Sequence, residues 1–550
     1  MVEKFLRSKL NTVIYGAVAT TIVTTPMFNK DSLIIPKVAI LFLVALYLIP
    51  DLFINLKTFR LNSISLSLVI VCGLITIQLL LAVLNTDSPV EQVVFGRTGR
   101  GLGVITLISL LIFLLASFMY AHLENLNKII NGLLVSGILI SVYALLQYFG
   151  LDFFGWVSKT NGIVSFLGNP NFVSSFIAMS FVPTIIFFRK GKYHLIVQFI
   201  FGSILLYGLF IAESTQGYIN LIISCGSYLL IYLAFSKKIL FKICLVFALP
   251  ILVLAIIGML NKGPLAMYLY KVSVQSRGDF WRSAVNTIDA NPVFGIGPDS
   301  FGDYFLKFRD EIAVSHPWAE YADSAHNYFL EYALNGGIAL SLLYFSFLIF
   351  IFRALIIFFR NKEFDPRIAS LYSSLAVYYA QSIISPMNIG LMVWGSVITG
   401  ALIGLSVDKL DQPRILQDAR KSLNNINLTK SGLLLIGLIV IYPYFNSDRQ
   451  QLIAMNSGNG DLAIKSAKMY PESTVRYFTL SKALLDSGLN VQSLDLAKSA
   501  VSFNPNSAAL WSLILINPNA AMSDRMAAKI EILKLDPLNK QVRDYLFSGN

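Results

Sequence analysis

The chain has 550 residues, 55% hydrophobic and 13% charged, and its mean hydropathy of +0.66 is far above that of a water-soluble globular protein. A formal charge of +12 would suit nucleic acid, but the basic residues stand in short clusters between apolar runs, where they act as topology signals. Composition therefore predicts a polytopic membrane protein with no nucleic-acid partner.

Apolar runs of membrane-crossing length occur near Thr12–Phe28, Leu33–Ile54, Ile64–Leu84, Leu102–Tyr120, Ile129–Phe149, Phe172–Phe188, Leu195–Ile211, Tyr218–Phe235 and Ile239–Leu260. After a polar interruption from Val274 to Gly337, they resume near Ile338–Phe359, Ile368–Ile384, Ile389–Val407 and Ser431–Phe445. The expected fold class is all-α: a polytopic transmembrane helix bundle of about 12–13 spans, a large extracytoplasmic loop and a C-terminal soluble α-helical repeat domain. The divisions are 1–260 for an N-terminal bundle, 261–337 for the loop, 338–446 for C-terminal spans and 447–550 for the soluble tail. Because the N-terminus lacks a small-residue cleavage site, the first helix is expected to be retained. Cys72, Cys225 and Cys244 sit in or beside apolar runs without metal-ligand spacing and read as packing residues.

Placing the N-terminus in the cytoplasm puts Lys4, Arg7, Lys57, Arg60, Arg189, Lys190, Lys237, Lys238, Arg360, Lys362, Lys409 and Arg414 inside. The short outer loops then hold only Lys30, Lys37, Arg97, Arg100 and Lys159, so the polar interruption is expected outside the cytoplasmic (inner) membrane. An odd number of spans sends the tail to the same side. In that tail, Pro471 and Pro505 lie thirty-four residues apart, each after a helical segment, a period that resembles tetratricopeptide repeats. An unrelated helical-hairpin domain is the alternative.

This topology leaves His316 and His326, of four histidines, on the outer side. Ser324 is placed to cap a helix whose first turn holds His326, and a helix N-terminus disfavours imidazolium, so His326 is expected to be neutral and able to take a proton. The alternative is a histidine that only hydrogen-bonds its loop. Upstream, Ser276 and Asp279 have capping-box spacing and open a helix with Phe280, Trp281, Ala284, Val285 and Ile288 on one face. Arg277 and Arg282 on that helix offer planar forks suited to phosphate oxygens, or alternatively contact lipid headgroups and loop acids.

The succession Arg277, Trp281, Asn291-Pro292, Gly295-x-Gly297, Phe301, His326-Asn327, Leu330-Glu331 and Gly336-Gly337 resembles the signature region of the O-antigen ligase and O-antigen polymerase superfamily. That resemblance implies a membrane glycosyltransferase moving a glycan from a polyprenyl-diphosphate (undecaprenyl-type) carrier to an acceptor hydroxyl at the outer face of the cytoplasmic membrane. It makes His326 the catalytic or acceptor-positioning histidine and Arg277 a diphosphate ligand, with Asn327 in support. Arg97 and Arg100 in FGRTGRGLGV, and Asn169-Pro170-Asn171, are further family-like fragments. Where many relatives carry a Ser-Arg pair this chain has Thr215-Gln216, so a second phosphate-binding cation is expected from Arg97, Arg100 or Arg282.

Asp323 and Glu331 are candidates to orient His326 and equally read as solvated charges. No cofactor is expected, and no metal, since Asp299, Asp303, Asp310 and Asp323 form no ligand set. The partners are a lipid-diphosphate glycan donor, a glycan, lipid or protein acceptor, membrane lipids, and a protein docked on the repeats. Ligation to a lipopolysaccharide core, polymerisation of repeat units and transfer to protein hydroxyls all fit. A transporter or flippase of lipid-linked sugars is the competing class, though no inverted repeat or set of intramembrane charges points to one.

Overall fold

The computed structural model describes residues 2–58, 62–154, 162–188, 192–317, 321–360, 363–407, 415–540 and 543–544. Of the basic residues read as topology signals, Arg60, Lys159, Arg189, Lys190, Lys362, Lys409 and Arg414 lie outside the described residues. Regular structure among those described is entirely helical. The bundle consists of α1 (Val2–Ile22), α2 (Ile34–Thr58), α3 (Ser63–Asn85), a short α4 (Val90–Phe95), α5 (Val104–Tyr120), α6 (Leu126–Tyr148), α7 (Pro170–Phe187), α8 (His194–Ile211), α9 (Thr215–Ser236) and α10 (Lys238–Met259). The polar interruption folds into α11 (Ala266–Leu269), α12 (Val272–Ala290), α13 (Phe301–Phe308) and α14 (Glu311–Val314). Then follow α15 (Tyr328–Arg360), α16 (Pro366–Ile384), α17 (Ile389–Leu405) and α18 (Ile415–Ser457). The tail holds α19 (Gly460–Ala467), α20 (Thr474–Asp486), α21 (Asn490–Phe503), α22 (Ala508–Ile516) and α23 (Met522–Leu535).

Each of the thirteen apolar runs overlaps one helix, although α1 ends at Ile22, six residues before the end of the first run. Among the described residues nine helices are long and apolar enough to cross a membrane, and α5 and α17 are shorter apolar helices. The other two, α1 and α16, interleave polar with apolar residues; Thr20, Thr21, Ser370, Ser373, Ser374 and Gln381 are buried inside the bundle. The bundle closes through small residues, as membrane helices do without a hydrophobic force between them. A Cβ on Gly400 would stand 2.1 Å from the Leu114 carbonyl, so α17 can lie directly on α5, where Ser117 Oγ donates to Val397 O at 2.7 Å. Cys72 is buried, Cys244 half-buried and Cys225 exposed, and all three are free thiols.

One end of the bundle collects the polar segments. There α2, α7, α9 and α17 open on Asp31, Asn169, Ser214 and Asn388, whose side chains accept from the first free backbone N–H groups. The interruption packs on this end around Phe280, Ala284, Ile296, Phe301, Phe305, Ala325 and Leu334. Its chain is pinned where Ile296 N donates to Leu334 O (2.7 Å) and Ile338 N to Pro292 O (2.9 Å). Gly337, at φ +79°, turns α15 at that point, and a Cβ there would meet the Val293 carbonyl at 2.1 Å. Gly336-Gly337, which close the family-like succession, thus separate a short helix from the following span.

Two helix starts differ from expectation. α12 begins at Val272, so Ser276 and Asp279 are interior positions, and the Asp279 carboxylate serves side chains of the loop instead of the helix N-terminus. Its buried face carries Phe280, Ser283, Ala284 and Thr287, while Val285 is exposed, because the steps of 3 and 4 from Phe280 share a side and a step of 5 does not. At α15 the cap is Asn327, whose Oδ1 accepts from Phe329 N (3.0 Å) and Leu330 N (3.2 Å), so His326 stands before the helix and not in its first turn.

The tail packs on the same end. Its own core comprises Ala467, Tyr477, Leu480, Leu496, Ala497, Leu510 and Leu513. It touches the α3–α5 connection through Thr98 and Ser473 (2.8 Å), and the large loop through a two-pronged Arg309–Asp536 pair at 2.9 and 2.8 Å.

Candidate active site

The end of α16 organises the site. A helix C-terminus leaves carbonyls without intrahelical partners. Here Ile384 O accepts from Arg277 Nε, and Ile383 O accepts from Asn327 Nδ2 at 3.1 Å. One helix end therefore brings Arg277 of α12 beside the residue following His326. Arg277 also donates to Ser273 O, which aims its guanidinium back toward the start of α12. Burial holds the Arg277 pKa down at about 10, still charged near neutrality, and it has no carboxylate partner among the described residues.

His326 is half-buried with its ring against Phe280, centroids 5.3 Å apart. Its backbone is left-handed, φ 55°, a conformation costly for a side chain of this size and held here by three contacts. His326 N donates to Ser324 Oγ (3.0 Å), Nδ1 lies 3.1 Å from Ser324 O, and Asn327 begins the helix behind it. A carbonyl only accepts, so the ring proton is assigned to Nδ1 and Nε2 keeps its lone pair. Burial lowers the imidazole pKa to about 4, with the Arg277 charge acting in the same direction and the Ser324 carbonyl and Asp323 opposing. His326 is thus neutral because of burial, not because of a helix N-terminus.

Beneath the histidine lies a charge network. Arg100 Nε pairs with Asp299 Oδ1 (2.9 Å), Nη1 with Asp323 Oδ1 (3.4 Å), and Nη2 lies 3.9 Å from Glu331 Oε1. Arg97 Nη1 pairs with Asp303 Oδ1 at 3.0 Å, and its backbone N–H donates to Asp299 Oδ2 at 2.8 Å. Burial works against both guanidinium charges, but the surrounding carboxylates outweigh it and raise both pKa values. Likewise burial would raise Asp323, and Arg100 and Arg97 hold it below its ordinary value. Glu331 accepts from Ser324 Oγ and from Ala325 N (2.7 Å), so it shapes the turn that carries His326 rather than facing solvent.

Arg282 sits apart, shared between Asp279 (2.6 Å) and Asp310 of the loop, and its contacts are those of a loop tie. Gln216 is buried and bonds Gln381 and Ser385, directly after Ile384, so the position without an arginine adjoins Arg277. Sequence reading passed over Lys271. Exposed at the start of α12, it reaches Thr215 Oγ1 at 2.9 Å, next to Gln216, and has no ion pair among the described residues. The available signal was its position as a cation immediately before the Arg277 helix. Below, a cavity between α5, α15, α16 and α17 is lined by Tyr328, Phe329, Tyr332, Tyr378, Ser382 and Thr399 among others. Among the described residues no group of three His, Cys, Asp or Glu side chains could hold a metal ion.

Residues 200–345 match the family model described as O-antigen ligase. This ligase-like region takes in Gln216, Lys271, Arg277, Arg282, Asp323, His326, Asn327 and Glu331, and leaves Arg97, Arg100 and the tail outside it. No curated protein matches the chain.

Proposed function

We propose that the protein is a glycosyltransferase that moves a glycan from a polyprenyl diphosphate to an acceptor hydroxyl, at the outer face of the cytoplasmic membrane. The single observation that carries this reading is the pairing at the end of α16. A histidine with an available Nε2 stands there beside a guanidinium that no carboxylate among the described residues neutralises. In the proposed step the acceptor oxygen bonds to the anomeric carbon, its proton passes to His326 Nε2, and the bond from that carbon to the phosphate oxygen breaks. The electron pair leaves with the diphosphate, whose growing charge Arg277 and Lys271 stabilise.

The bias of basic residues toward one side supports the membrane orientation. The successive helices of the tail and the spacing of Pro471 and Pro505 support a tetratricopeptide-like arm. The test is incubation of purified full-length protein with a polyprenyl-diphosphate glycan and an acceptor, measuring free carrier lipid. Wild type releases carrier, and His326→Ala slows release about 10³-fold. A flippase would translocate the intact donor without breaking the sugar–phosphate bond. Undiminished release by His326→Ala would remove the histidine from the chemistry.

A further inference from the structure

The tail reaches the ligase-like region through buried polar groups. Asn504, at the end of α21, is 0% exposed and donates from Nδ2 to Asp303 Oδ2 (3.0 Å) and Thr474 Oγ1 (2.9 Å). Thr474 Oγ1 in turn donates to Gln92 Oε1 (3.1 Å), and Gln92 Nε2 donates to the same Asp303 oxygen (3.0 Å). The other oxygen of Asp303 holds Arg97. Through Arg97 N, Asp299 and Arg100 the line passes to Glu331, and through Ser324 to the backbone of His326. A surface arm carried for an external partner would be fastened by contacts that water can replace. This junction instead seals an amide against a carboxylate where an unmet donor is costly.

We infer that Asn504 is a positioning residue. By completing the bonds of Asp303, the tail fixes Arg97 and Asp299, and through them the turn that presents His326. The inference rests on the proposed function for its kinetic readout and on the network alone for its structural one. Buried hydrogen-bond networks act as units, so a loss at one member is felt at the next. The tail is then part of the catalytic assembly, although it lies outside the ligase-like region.

The experiment uses the full chain in four forms: wild type, Asn504→Ala, Thr474→Val and the control Leu513→Ala. Leu513 lies in the tail core, 1% exposed, and its apolar side chain contributes no bond to the polar line. Expected are a fall in kcat for carrier release of about tenfold for Asn504→Ala and about threefold for Thr474→Val, with donor KM unchanged. Leu513→Ala lowers the unfolding temperature and leaves kcat within about twofold of wild type. Hydrogen exchange at Ser324–Asn327 is expected to quicken about fivefold in Asn504→Ala and not in Leu513→Ala. Should Asn504→Ala fail to accumulate, Thr474→Val carries both readouts. Unchanged kcat and unchanged exchange in the network variants overturn the inference, as does an equal loss of kcat in Leu513→Ala. If instead the wild-type protein releases no carrier, the functional reading fails, and the exchange result still decides the coupling.

Discussion

The four cations Arg97, Arg100, Arg277 and Lys271 fall into two sets that differ in what neutralises them. Arg97 and Arg100 are enclosed by Asp299, Asp303, Asp323 and Glu331, so their charge is spent within the protein. Arg277 and Lys271 bond only carbonyls and a hydroxyl in the contacts described above. A guanidinium already shared by carboxylates is a poor receptor for phosphate, because the incoming anion must displace a partner or join a net negative cluster. Charge pairing separates a scaffold from a cleft.

The largest expected effect tests the scaffold. Arg100→Ala strands three carboxylates around a site whose arginine side chain is 8% exposed, and should destabilise the fold by about 3–5 kcal/mol. Thermal unfolding of the purified variant measures it. An Arg100→Ala protein of normal stability that binds donor weakly would move Arg100 into the cleft and break the comparison. Next, Arg277→Ala should leave unfolding unchanged and slow carrier release about 10²-fold, with Arg277→Lys recovering part because it keeps charge but loses the fork. A large drop in unfolding temperature would instead make Arg277 a clamp on α16.

Lys271→Ala should slow release about tenfold, and the loss should shrink as salt rises because the residue is exposed. No change at any ionic strength would leave Arg277 as the sole cation of the cleft. The smallest effect is expected from pH. A base needs its neutral form, so a pKa lowered to about 4 keeps roughly 90% of His326 competent at pH 5, where an ordinary imidazole is almost fully protonated. Rates corrected for stability should change less than about twofold between pH 7 and 5 and fall as pH drops through about 4. An acid limb near 6.5 would mean a wetter ring than the structure has.

The helices of the bundle were legible because nine of them, among the described residues, carry apolar runs of the length a bilayer demands, a property of consecutive residues. For the site, topology narrowed four histidines to His316 and His326, and the family resemblance singled out His326. Charge pairing was not, because Asp299 and Asp303 stand some two hundred residues from Arg97 and Arg100 and no local spacing joins them. The start of α12 was misplaced for a related reason: Asp279 at capping-box spacing is committed to Arg282 and His316, a tertiary use of a local pattern. Left-handed backbone at His326 leaves no compositional trace, since its turn is held by Ser324 and Glu331 from outside the dipeptide.

The end of α16 also acts as a ruler. Arg277 hangs from Ile384 O and the residue after His326 from Ile383 O, so the gap between Arg277 and Asn327 is copied from one peptide repeat of a single rod. Insertions in the loops leave that gap alone. One residue added or lost before Ile383 would swing both carbonyls by about 100° around the helix axis and carry Arg277 and the turn bearing His326 out of place together.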